Sequence, residues 1–393
     1  MKLQEIFDTY SNYVMPTYTK TPLIFTKGKG SYLWDIHGSK YLDFFPGWGV
    51  GNLGHCHPKV MTAVRDQVSK LIFIPNNYYH LPQAKLAVEL NFFSKFPAKV
   101  FFCNSGAEAN EAAFKLARKF GQGRFEIITF KNSFHGRTLG CISATGQDKY
   151  KDGFAPLPEG FCSVAFNDLK AVESALNQNT VAVMLELIQG EGGINIADKD
   201  FVLGLRKLCD KQKLLLIIDE VQTGIGRTAK MFAYEHYGII PDVVTLAKSL
   251  GGGLPIGAMM VKQDIADVLG PGTHASTFGG GPVICKAALA VLNAIQKEKL
   301  LAKAGCCGEY LISKLNSLKE KYPLITDVRG KGLMIAVELK DKARQVVDEC
   351  LKRGLLINCT HETVVRLMPA LNVSKKEINQ ALFILQDALN VLT

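Results

Sequence analysis

Short apolar runs alternate with amphipathic stretches between about residues 60 and 285. The runs are often β-branched and predict strands at Lys99–Cys103, Phe125–Phe130, Val181–Leu187, Leu214–Ile218, Val243–Leu246 and Ala258–Val261. Amphipathic stretches between them, such as Ala107–Phe120 and Phe201–Gln212, predict helices. This alternation predicts an α/β fold with a mostly parallel sheet that is flanked by helices on both faces.

The two ends of the chain follow other patterns. Residues 28–44 predict two short strands joined by the polar turn Asp35–Lys40. After Pro282 a helical pattern covers Ile284–Leu318, and Asp327–Leu339 predicts a strand pair. We therefore expect a large domain over residues 51–285 and a smaller α/β C-terminal domain over 286–393. The N-terminal segment, residues 1–50, is expected to join the small domain.

Composition and charge narrow the classes of protein. The 393 residues are 47% hydrophobic and 21% charged, which excludes a disordered or fibrous chain. The net charge of +10 is dispersed, so we expect no nucleic-acid partner. The ten cysteines include no CxxC pair. The N-terminus lacks the apolar stretch of a signal peptide, and the longest wholly apolar run, Ala287–Leu292, is too short to span a bilayer. These features predict a cytoplasmic protein with no membrane contact.

Asp219 ends an apolar run, at the edge where open α/β sheets bind ligands. It could pair with the protonated ring nitrogen of a cofactor, hold Mg²⁺ beside a nucleotide, or cap the next helix. The chain has no GxxxxGK[ST] loop, which excludes the nucleotide site. Lys248 follows the predicted strand Val243–Leu246 and precedes Gly251–Gly253, so it is either a desolvated, nucleophilic amine or an ordinary surface lysine.

Further candidates lie after two other strands. Ser105 and Glu108 form a capping-box pattern, and the small residues 105–107 could leave backbone N–H groups open to a phosphate; the alternative is an ordinary capped helix. Phe134 and Arg137 could stack on a ring and hold a carboxylate, or Phe134 could belong to the core. No second cluster of ligands accompanies residues 55–57 or 361–362, so no metal site is predicted.

Together these segments resemble the class III, fold-type I pyridoxal-phosphate aminotransferases over nearly the whole chain. The resemblance rests on IIDEVQTGIGRT and PDVVTLAKSLGGGLPIGA, with KGSYLWDIHGSKYLDF, NLGHCHPKV, FFCNSGAEANEAAFKLARK, FHGRTLG, LIQGEGG, THASTFGG and RGLLINCTHETVVRLMPAL. It implies pyridoxal 5'-phosphate as cofactor. Within the family the chain is most similar to members that move the ω-amino group of N2-acetylornithine to 2-oxoglutarate in arginine synthesis.

The resemblance also assigns roles to individual residues. Lys248 would bond to the cofactor aldehyde and shuttle protons, and Asp219 would keep the pyridine nitrogen protonated. The other cofactor contacts would be Ser105, Gly106 and Ala107 at the phosphate, Phe134 on the ring, Gln222 at the phenolic oxygen, and Thr277 of a partner subunit at the phosphate. The expected assembly is a homodimer with shared active sites.

Substrate residues follow from the same resemblance. Arg366 would grip the α-carboxylate of glutamate, and Glu191 would neutralise it while the ω-amine is bound. Arg137 would hold the distant carboxylate of acetylornithine, and Ser276 of the partner subunit would lie near the substrate. Succinyldiaminopimelate stays open as a further substrate. The alternatives are ornithine, succinylornithine or 4-aminobutyrate as amine, and a catalytically silent binding protein of this fold, against which Lys248 and Asp219 argue.

Overall fold

A computed structural model describes residues 3–392, so Met1, Lys2 and Thr393, at the outer ends of the two terminal segments, lie outside the described residues. Helices occupy much of this range. They are α1 Leu3–Tyr13, α2 Pro58–Val68, α3 Leu81–Ser94, α4 Gly106–Phe120, α5 Leu139–Ala144, α6 Leu169–Ala175, α7 Lys199–Gln212, α8 Pro282–Lys297, α9 Leu300–Lys321, α10 Ala343–Lys352 and α11 Lys375–Leu392. No helix within residues 3–392 is both long and apolar enough to cross a membrane.

The strands are shorter and lie between these helices. They are β1 Phe25–Lys29, β2 Tyr32–Asp35, β3 Lys40–Asp43, β4 Ala98–Cys103, β5 Glu126–Phe130, β6 Phe161–Val164, β7 Thr180–Leu185, β8 Ile188–Gln189, β9 Asn195–Ile196, β10 Leu215–Asp219, β11 Val243–Leu246, β12 Gly257–Lys262, β13 Ile325–Lys331, β14 Met334–Leu339, β15 Leu355–Leu356, β16 Asn358–Thr360 and β17 Val364–Leu367.

The central sheet has seven strands in the order β4-β12-β11-β10-β7-β5-β6. β12 is antiparallel to both of its neighbours, and the other pairings are parallel. All six strands predicted between residues 99 and 261 belong to this sheet. The mostly parallel α/β fold is therefore confirmed, while β6 is an additional strand that the hydrophobic pattern did not predict.

Both faces of the sheet are covered, because alternate side chains of one strand enter two separate cores. Leu216 and Ile218 of β10 pack in the larger buried cluster, whereas Leu215 and Ile217 pack in a second one. A strand that is buried on both faces reads as a continuous apolar run, since neither set of side chains meets water. This explains why the run 214–218 has no polar residue before Asp219.

The predicted single helix over Ile284–Leu318 is wrong. The structure has two helices there, and the chain breaks at Lys299, whose φ of 51° lies in the left-handed region. A residue in that conformation ends a helix, because the next turn cannot continue the same path. No glycine or proline marks the break, so the sequence pattern continues through it.

Two four-stranded sheets lie outside the central one. β13 and β14 pair antiparallel, as predicted for residues 327–339, and the sheet continues in the order β13-β14-β17-β16. β2 and β3 form the predicted N-terminal pair, and β3 also pairs in parallel with β15. This last pairing links residues 40–43 to residues 355–356. The division into domains at residues 50 and 285 stays a prediction.

Candidate active site

Five parallel strands deliver polar or aromatic residues to one edge of the central sheet. The chain leaves β4 at Asn104, β5 shortly before Phe134, β7 at Glu186, β10 at Asp219 and β11 shortly before Lys248. A cavity of about 410 Å³ lies at this edge, within the range of about 300–1,000 Å³ usual for small-molecule sites. Eight predicted site residues line it: Ser105, Gly106, Ala107, Phe134, Glu191, Asp219, Gln222 and Lys248.

Asp219 is held in place on three sides. Its Oδ2 accepts hydrogen bonds from Asn110 Nδ2 at 2.9 Å and His135 Nδ1 at 2.8 Å, and its Oδ1 accepts one from Val221 N at 3.0 Å. Only 3% of the residue is exposed. No helix follows it, since residues 221–232 form turns, so the helix-cap alternative is wrong. The carboxylate therefore faces the cavity in a fixed orientation.

His135 is a site residue that the sequence reasoning missed. Burial alone would lower the pKa of its imidazole, but the hydrogen bond and charge of Asp219 hold the pKa above its ordinary value. Asn110 also ties this region together, because its Nδ2 donates to the His135 carbonyl oxygen at 2.7 Å as well as to Asp219. His135 and Asn110 are thus positioning residues for the buried carboxylate.

The N-terminus of α4 opens onto the same cavity. Ser105 caps the helix by accepting a hydrogen bond from Glu108 N at 3.2 Å, which is half of the predicted capping box. The Glu108 carboxylate accepts instead from Asn104 N, at 3.1 Å. Gly106 is required here, because a Cβ at this position would lie 2.7 Å from Val221 Cγ1. The first turn of the helix therefore borders the cavity with small residues, where backbone N–H groups and the helix dipole can bind an anion.

Lys248 differs from an ordinary surface lysine in its backbone conformation and in the pKa of its amine. Its φ of 44° is left-handed, a conformation that a residue with a side chain adopts only when its surroundings enforce it. Burial lowers the pKa of its amine, and the negative charges of Glu191, Asp219 and Glu186 counteract only part of this effect. The neutral amine is therefore more accessible than in solution.

Arg366 and Glu191 form a buried ion pair beside this amine. Arg366 Nη1 donates to Glu191 Oε1 at 2.7 Å and to the Gly190 carbonyl oxygen at 2.9 Å. Burial would raise the pKa of Glu191, yet the Arg366 charge lowers it overall. Arg366 is completely buried and also lies 4.7 Å from the centre of the Phe45 ring. The pair is adjacent to Gln222, whose Oε1 lies 3.5 Å from Arg366 Nη1.

Glu186, which the sequence reasoning also missed, is hydrogen-bonded to two backbone segments of the site. Its carboxylate accepts hydrogen bonds from Phe134 N at 2.8 Å and from Gly190 N at 3.1 Å. Burial, with a contribution from the Asp219 charge, raises its pKa to about 7, although the neighbouring His135 charge acts in the other direction. It therefore joins the segment of Phe134 to the turn that carries Glu191.

Four predicted substrate or cofactor residues do not line the cavity: Arg366, whose partner Glu191 does line it, and Arg137, Ser276 and Thr277. Arg137 is exposed and lies over the Tyr150 ring at 4.1 Å. Ser276 Oγ accepts a hydrogen bond from Asn104 Nδ2 of the same chain at 3.1 Å, which places its loop next to the cavity rim. Thr277 is exposed. Their roles, and those of the residues that line the cavity, stay predictions.

The residues present fit a pyridoxal-type cofactor. A fixed, buried carboxylate suits a protonated ring nitrogen, a helix N-terminus suits a phosphate, and a desolvated lysine suits an aldehyde. All three border one cavity. Among the residues that the structure describes, no group of three His, Cys, Asp or Glu side chains is arranged to hold a metal ion.

Comparisons with known proteins point to one family. The family model described as class-III aminotransferase matches residues 13–389. The chain is 49% identical to the acetylornithine aminotransferase of Methanocaldococcus jannaschii over 96% of each protein. It is 44% identical to the succinylornithine transaminase of Salmonella paratyphi A, over 96% of this chain and 95% of that protein. An ornithine aminotransferase structure from Toxoplasma gondii, with PLP at partial occupancy in its active site, matches with a TM-score of 0.94 and 33% identity, over 99% of this chain and 94% of that one.

Proposed function

The chain belongs to the class-III aminotransferase family, and from this premise we propose that it transfers the ω-amino group of N2-acetylornithine to 2-oxoglutarate. The products would be N-acetylglutamate semialdehyde and glutamate, and the reaction would serve arginine synthesis. The observation that carries the proposal is that Glu191, which is paired with Arg366, lines one cavity together with Lys248 and Asp219. A pair of this kind lets one site accept two substrates that differ in charge at the reacting carbon.

The cofactor would be pyridoxal 5'-phosphate. When bound, it supplies an aldehyde that links to amines and a ring that withdraws electrons from the reacting carbon. Asp219 would hold the proton on the ring nitrogen, and the hydrogen bonds from His135 and Asn110 would keep its carboxylate in a fixed position for this role. Ser105, Gly106 and Ala107 would bind the phosphate, Phe134 would stack on the ring, and Gln222 would contact the phenolic oxygen.

Lys248 would supply both the covalent link and the proton transfers. Because burial lowers its pKa, the neutral Nζ is more accessible than in solution and would accept a proton from the reacting carbon, and the nearby carboxylates would stabilise the ammonium that results. An amine whose pKa is lowered would also give the proton back more readily than an ordinary lysine. Transamination needs this reversibility, because the second half-reaction runs the first in reverse.

Glu191 and Arg366 would select the substrate in each half-reaction. The reacting carbon of acetylornithine carries no carboxylate, so an unpaired arginine beside it would be a buried, uncompensated charge. The Glu191 carboxylate removes that cost. Glutamate brings its own α-carboxylate, which would replace Glu191 on the guanidinium. Arg137, stacked on Tyr150, would hold the distant carboxylate of acetylornithine with its planar donors.

A homodimer with shared active sites is part of the proposal. Large exposed apolar side chains cluster near the Ser276–Thr277 loop: Leu71, Ile72, Phe73, Tyr78, Tyr79, Leu81 and Phe278. Phe73 contacts Phe278 at 5.5 Å between ring centres, and Asn76 Nδ2 donates to the Ser276 carbonyl oxygen at 3.2 Å. A second copy of this chain would cover the patch, and its Ser276 and Thr277 would reach the cavity described above.

Mixed dimers test this sharing of sites. An inactive Lys248→Ala chain and an inactive Thr277→Val chain should regain activity after subunit exchange, because one of the two sites then has both residues. Mixing two samples of Lys248→Ala is the matched control. Absence of recovery after demonstrated exchange would contradict the shared site.

The cytoplasm is the proposed location. All ten cysteines are unpaired, and several are buried thiols whose pKa is raised by burial, to about 12 for Cys103, Cys141 and Cys285. Such thiols are inert and suit a reducing compartment. Thiol labelling of the intact protein, against a sample treated with reductant, tests this: equal labelling supports the reduced state, and lower labelling without reductant contradicts it.

A panel of amino donors with 2-oxoglutarate tests the substrate. N2-acetylornithine should give the largest kcat/KM, ahead of ornithine and 4-aminobutyrate, because its acyl group leaves the α-nitrogen uncharged. Succinylornithine and succinyldiaminopimelate belong in the panel, since a succinylornithine transaminase is among the relatives. Lys248→Ala is the negative control. A larger kcat/KM for any other donor would contradict the acetylornithine assignment while leaving the family unchanged.

A further inference from the structure

Besides the Gly190 carbonyl oxygen and a longer contact with Gln222 Oε1, Arg366 donates to two side chains of different kinds. Its Nη1 donates to Glu191 Oε1 at 2.7 Å, whereas its Nε and Nη2 both donate to Asn358 Oδ1, at 3.2 and 2.8 Å. The guanidinium therefore has a carboxylate on one side and a neutral amide oxygen on the other. The sequence reasoning did not single out Asn358.

The two acceptors also differ in how they are attached. Asn358 lies on β16 directly opposite Arg366 on β17, in an antiparallel sheet that fixes their separation. Glu191 lies in the turn Gly190–Gly193, and its side chain lines the cavity. Thr360 Oγ1 donates to the Glu191 carbonyl oxygen at 2.8 Å and anchors its backbone, so its carboxylate can leave by rotation of the side chain alone.

We propose that Asn358 is the positioning and specificity-determining residue that keeps Arg366 aimed at the cavity when Glu191 leaves, without neutralising its charge. The proposal rests on the function proposed above and deepens it. An amide oxygen accepts two hydrogen bonds from the guanidinium but carries no net charge. The arginine thus keeps both its direction and its full charge for the substrate carboxylate.

The important property of residue 358 is then its charge and not its shape. Aspartate has nearly the same shape as asparagine and keeps an acceptor oxygen at the same position. It would, however, place a second carboxylate on Arg366, directly opposite it in the sheet, where the hydrogen bonds from Nε and Nη2 would hold it. The arginine would then be neutralised in both half-reactions, and substrates that bring their own α-carboxylate would lose their partner.

The experiment measures single-turnover rates of the two half-reactions for the holoenzyme, with glutamate and with N2-acetylornithine. In Asn358→Asp, kcat/KM for glutamate should fall about tenfold or more relative to that for acetylornithine, a change in ratio that a merely structural role would not produce. Asn358→Ala removes the acceptor without adding charge, so its ratio should change less. Equal changes of the ratio in the two variants, or no change in Asn358→Asp, would overturn the proposal.

A double variant gives the sharper result. Glu191→Ala should slow the acetylornithine half-reaction, because Arg366 is then unpaired while the amine is bound. Adding Asn358→Asp should restore that half-reaction at least severalfold and leave the glutamate half-reaction impaired. The opposite outcome, in which the two substitutions slow the acetylornithine half-reaction further when combined, would overturn the proposal.

Binding of glutarate separates this inference from the function that underlies it. Glutarate has the carboxylates of glutamate but no amine, so its dissociation constant from the holoenzyme, followed by cofactor absorbance, needs no turnover. It should be about tenfold weaker in Asn358→Asp than in the unmodified enzyme. An unmodified enzyme that fails to use acetylornithine would contradict the proposed function. Unchanged glutarate binding in the variant of an active enzyme would contradict only the role of Asn358.

Discussion

Two carboxylates border the same cavity, and they differ in burial and in how firmly they are held. Asp219 is 3% exposed, ends a central strand and accepts hydrogen bonds from Asn110, His135 and the backbone of Val221. The side chain of Glu191 is 17% exposed, follows a glycine and has the guanidinium of Arg366 as its main partner. One carboxylate is therefore fixed by three donors, and the other by an ion pair and a longer hydrogen bond from Gln222 Nε2 at 3.5 Å.

The difference matches what each charge would do. In the proposed reaction, a charge at the ring nitrogen would be needed in both half-reactions, so a rigid mounting would carry no disadvantage. The Glu191 charge would be needed against Arg366 for one substrate and not for the other, so it would have to move. The protein would thus use buried hydrogen bonds where the chemistry is constant and a rotatable ion pair where the substrate alternates.

The largest effect is expected at Lys248, on which both half-reactions depend. Lys248→Ala should abolish turnover with every donor, since neither the covalent link nor the proton acceptor remains. Borohydride reduction of the unmodified holoenzyme, followed by peptide mapping, should label Lys248. Labelling of a different lysine would show that the cavity residues have been assigned wrongly.

Asp219→Asn should be the next most damaging change, and it sharpens the comparison because it should affect both half-reactions alike. The amide cannot hold the ring proton, so single-turnover rates with glutamate and with acetylornithine should each fall by about 100-fold or more. Cofactor should still bind, as measured by its absorbance after gel filtration. A selective loss in only one half-reaction would contradict the view that this charge serves both.

Removing one hydrogen bond to Asp219 should slow the reaction less, and again by the same factor in both half-reactions. His135→Leu deletes one hydrogen bond to the carboxylate, and both half-reactions should slow by about tenfold. His135→Gln, which can still donate a hydrogen bond, is the matched control and should retain more activity. If Leu and Gln behaved alike, the hydrogen bond from His135 would not be what positions Asp219.

The smallest expected effect is on stability and concerns Glu220. This residue is buried beside Asp219 but has no ion-pair partner among residues 3–392. Burial raises its pKa to about 8 from 4.5. Between pH 4.5 and 8 the folded state therefore keeps a proton on Glu220 that the unfolded state has released. The free energy of unfolding consequently falls as pH rises through that window.

Glu220→Gln should therefore raise the unfolding temperature by about 2 °C or more at pH 8.5, and by less at pH 6. Thermal unfolding of both proteins at the two pH values measures this. An equal change at both would mean that Glu220 is not a carboxyl whose ionisation is opposed by burial.

The central sheet was predictable because strands buried on both faces are continuous apolar runs. β11 was predicted at its observed bounds, and the other five predicted strands differ by one or two residues at their ends. β6 was missed because its four residues are only half-buried at the edge of the sheet. The break at Lys299 was missed because a left-handed residue other than glycine leaves no signal in the hydrophobic pattern.

The site was predictable where a residue ends a strand, and not where it depends on pairing between distant segments. Asp219 and Lys248 follow apolar runs and could be identified from one segment each. Asn358 is recognisable only from its register opposite Arg366, and His135 only from its contact with Asp219, 84 positions away. The signal for His135 was present as a histidine beside Phe134, but the sequence does not tell which carboxylate it meets.

The contrast between a fixed and a movable carboxylate is tested most directly by the two half-reactions of Glu191→Ala. Single-turnover rates should show a fall of about tenfold or more with N2-acetylornithine, because Arg366 then lies unpaired beside a reacting carbon that brings no carboxylate. The rate and affinity with glutamate should stay the same or improve, since glutamate no longer displaces Glu191. An equal loss in both half-reactions would contradict the movable charge and make Glu191 a structural residue of its turn.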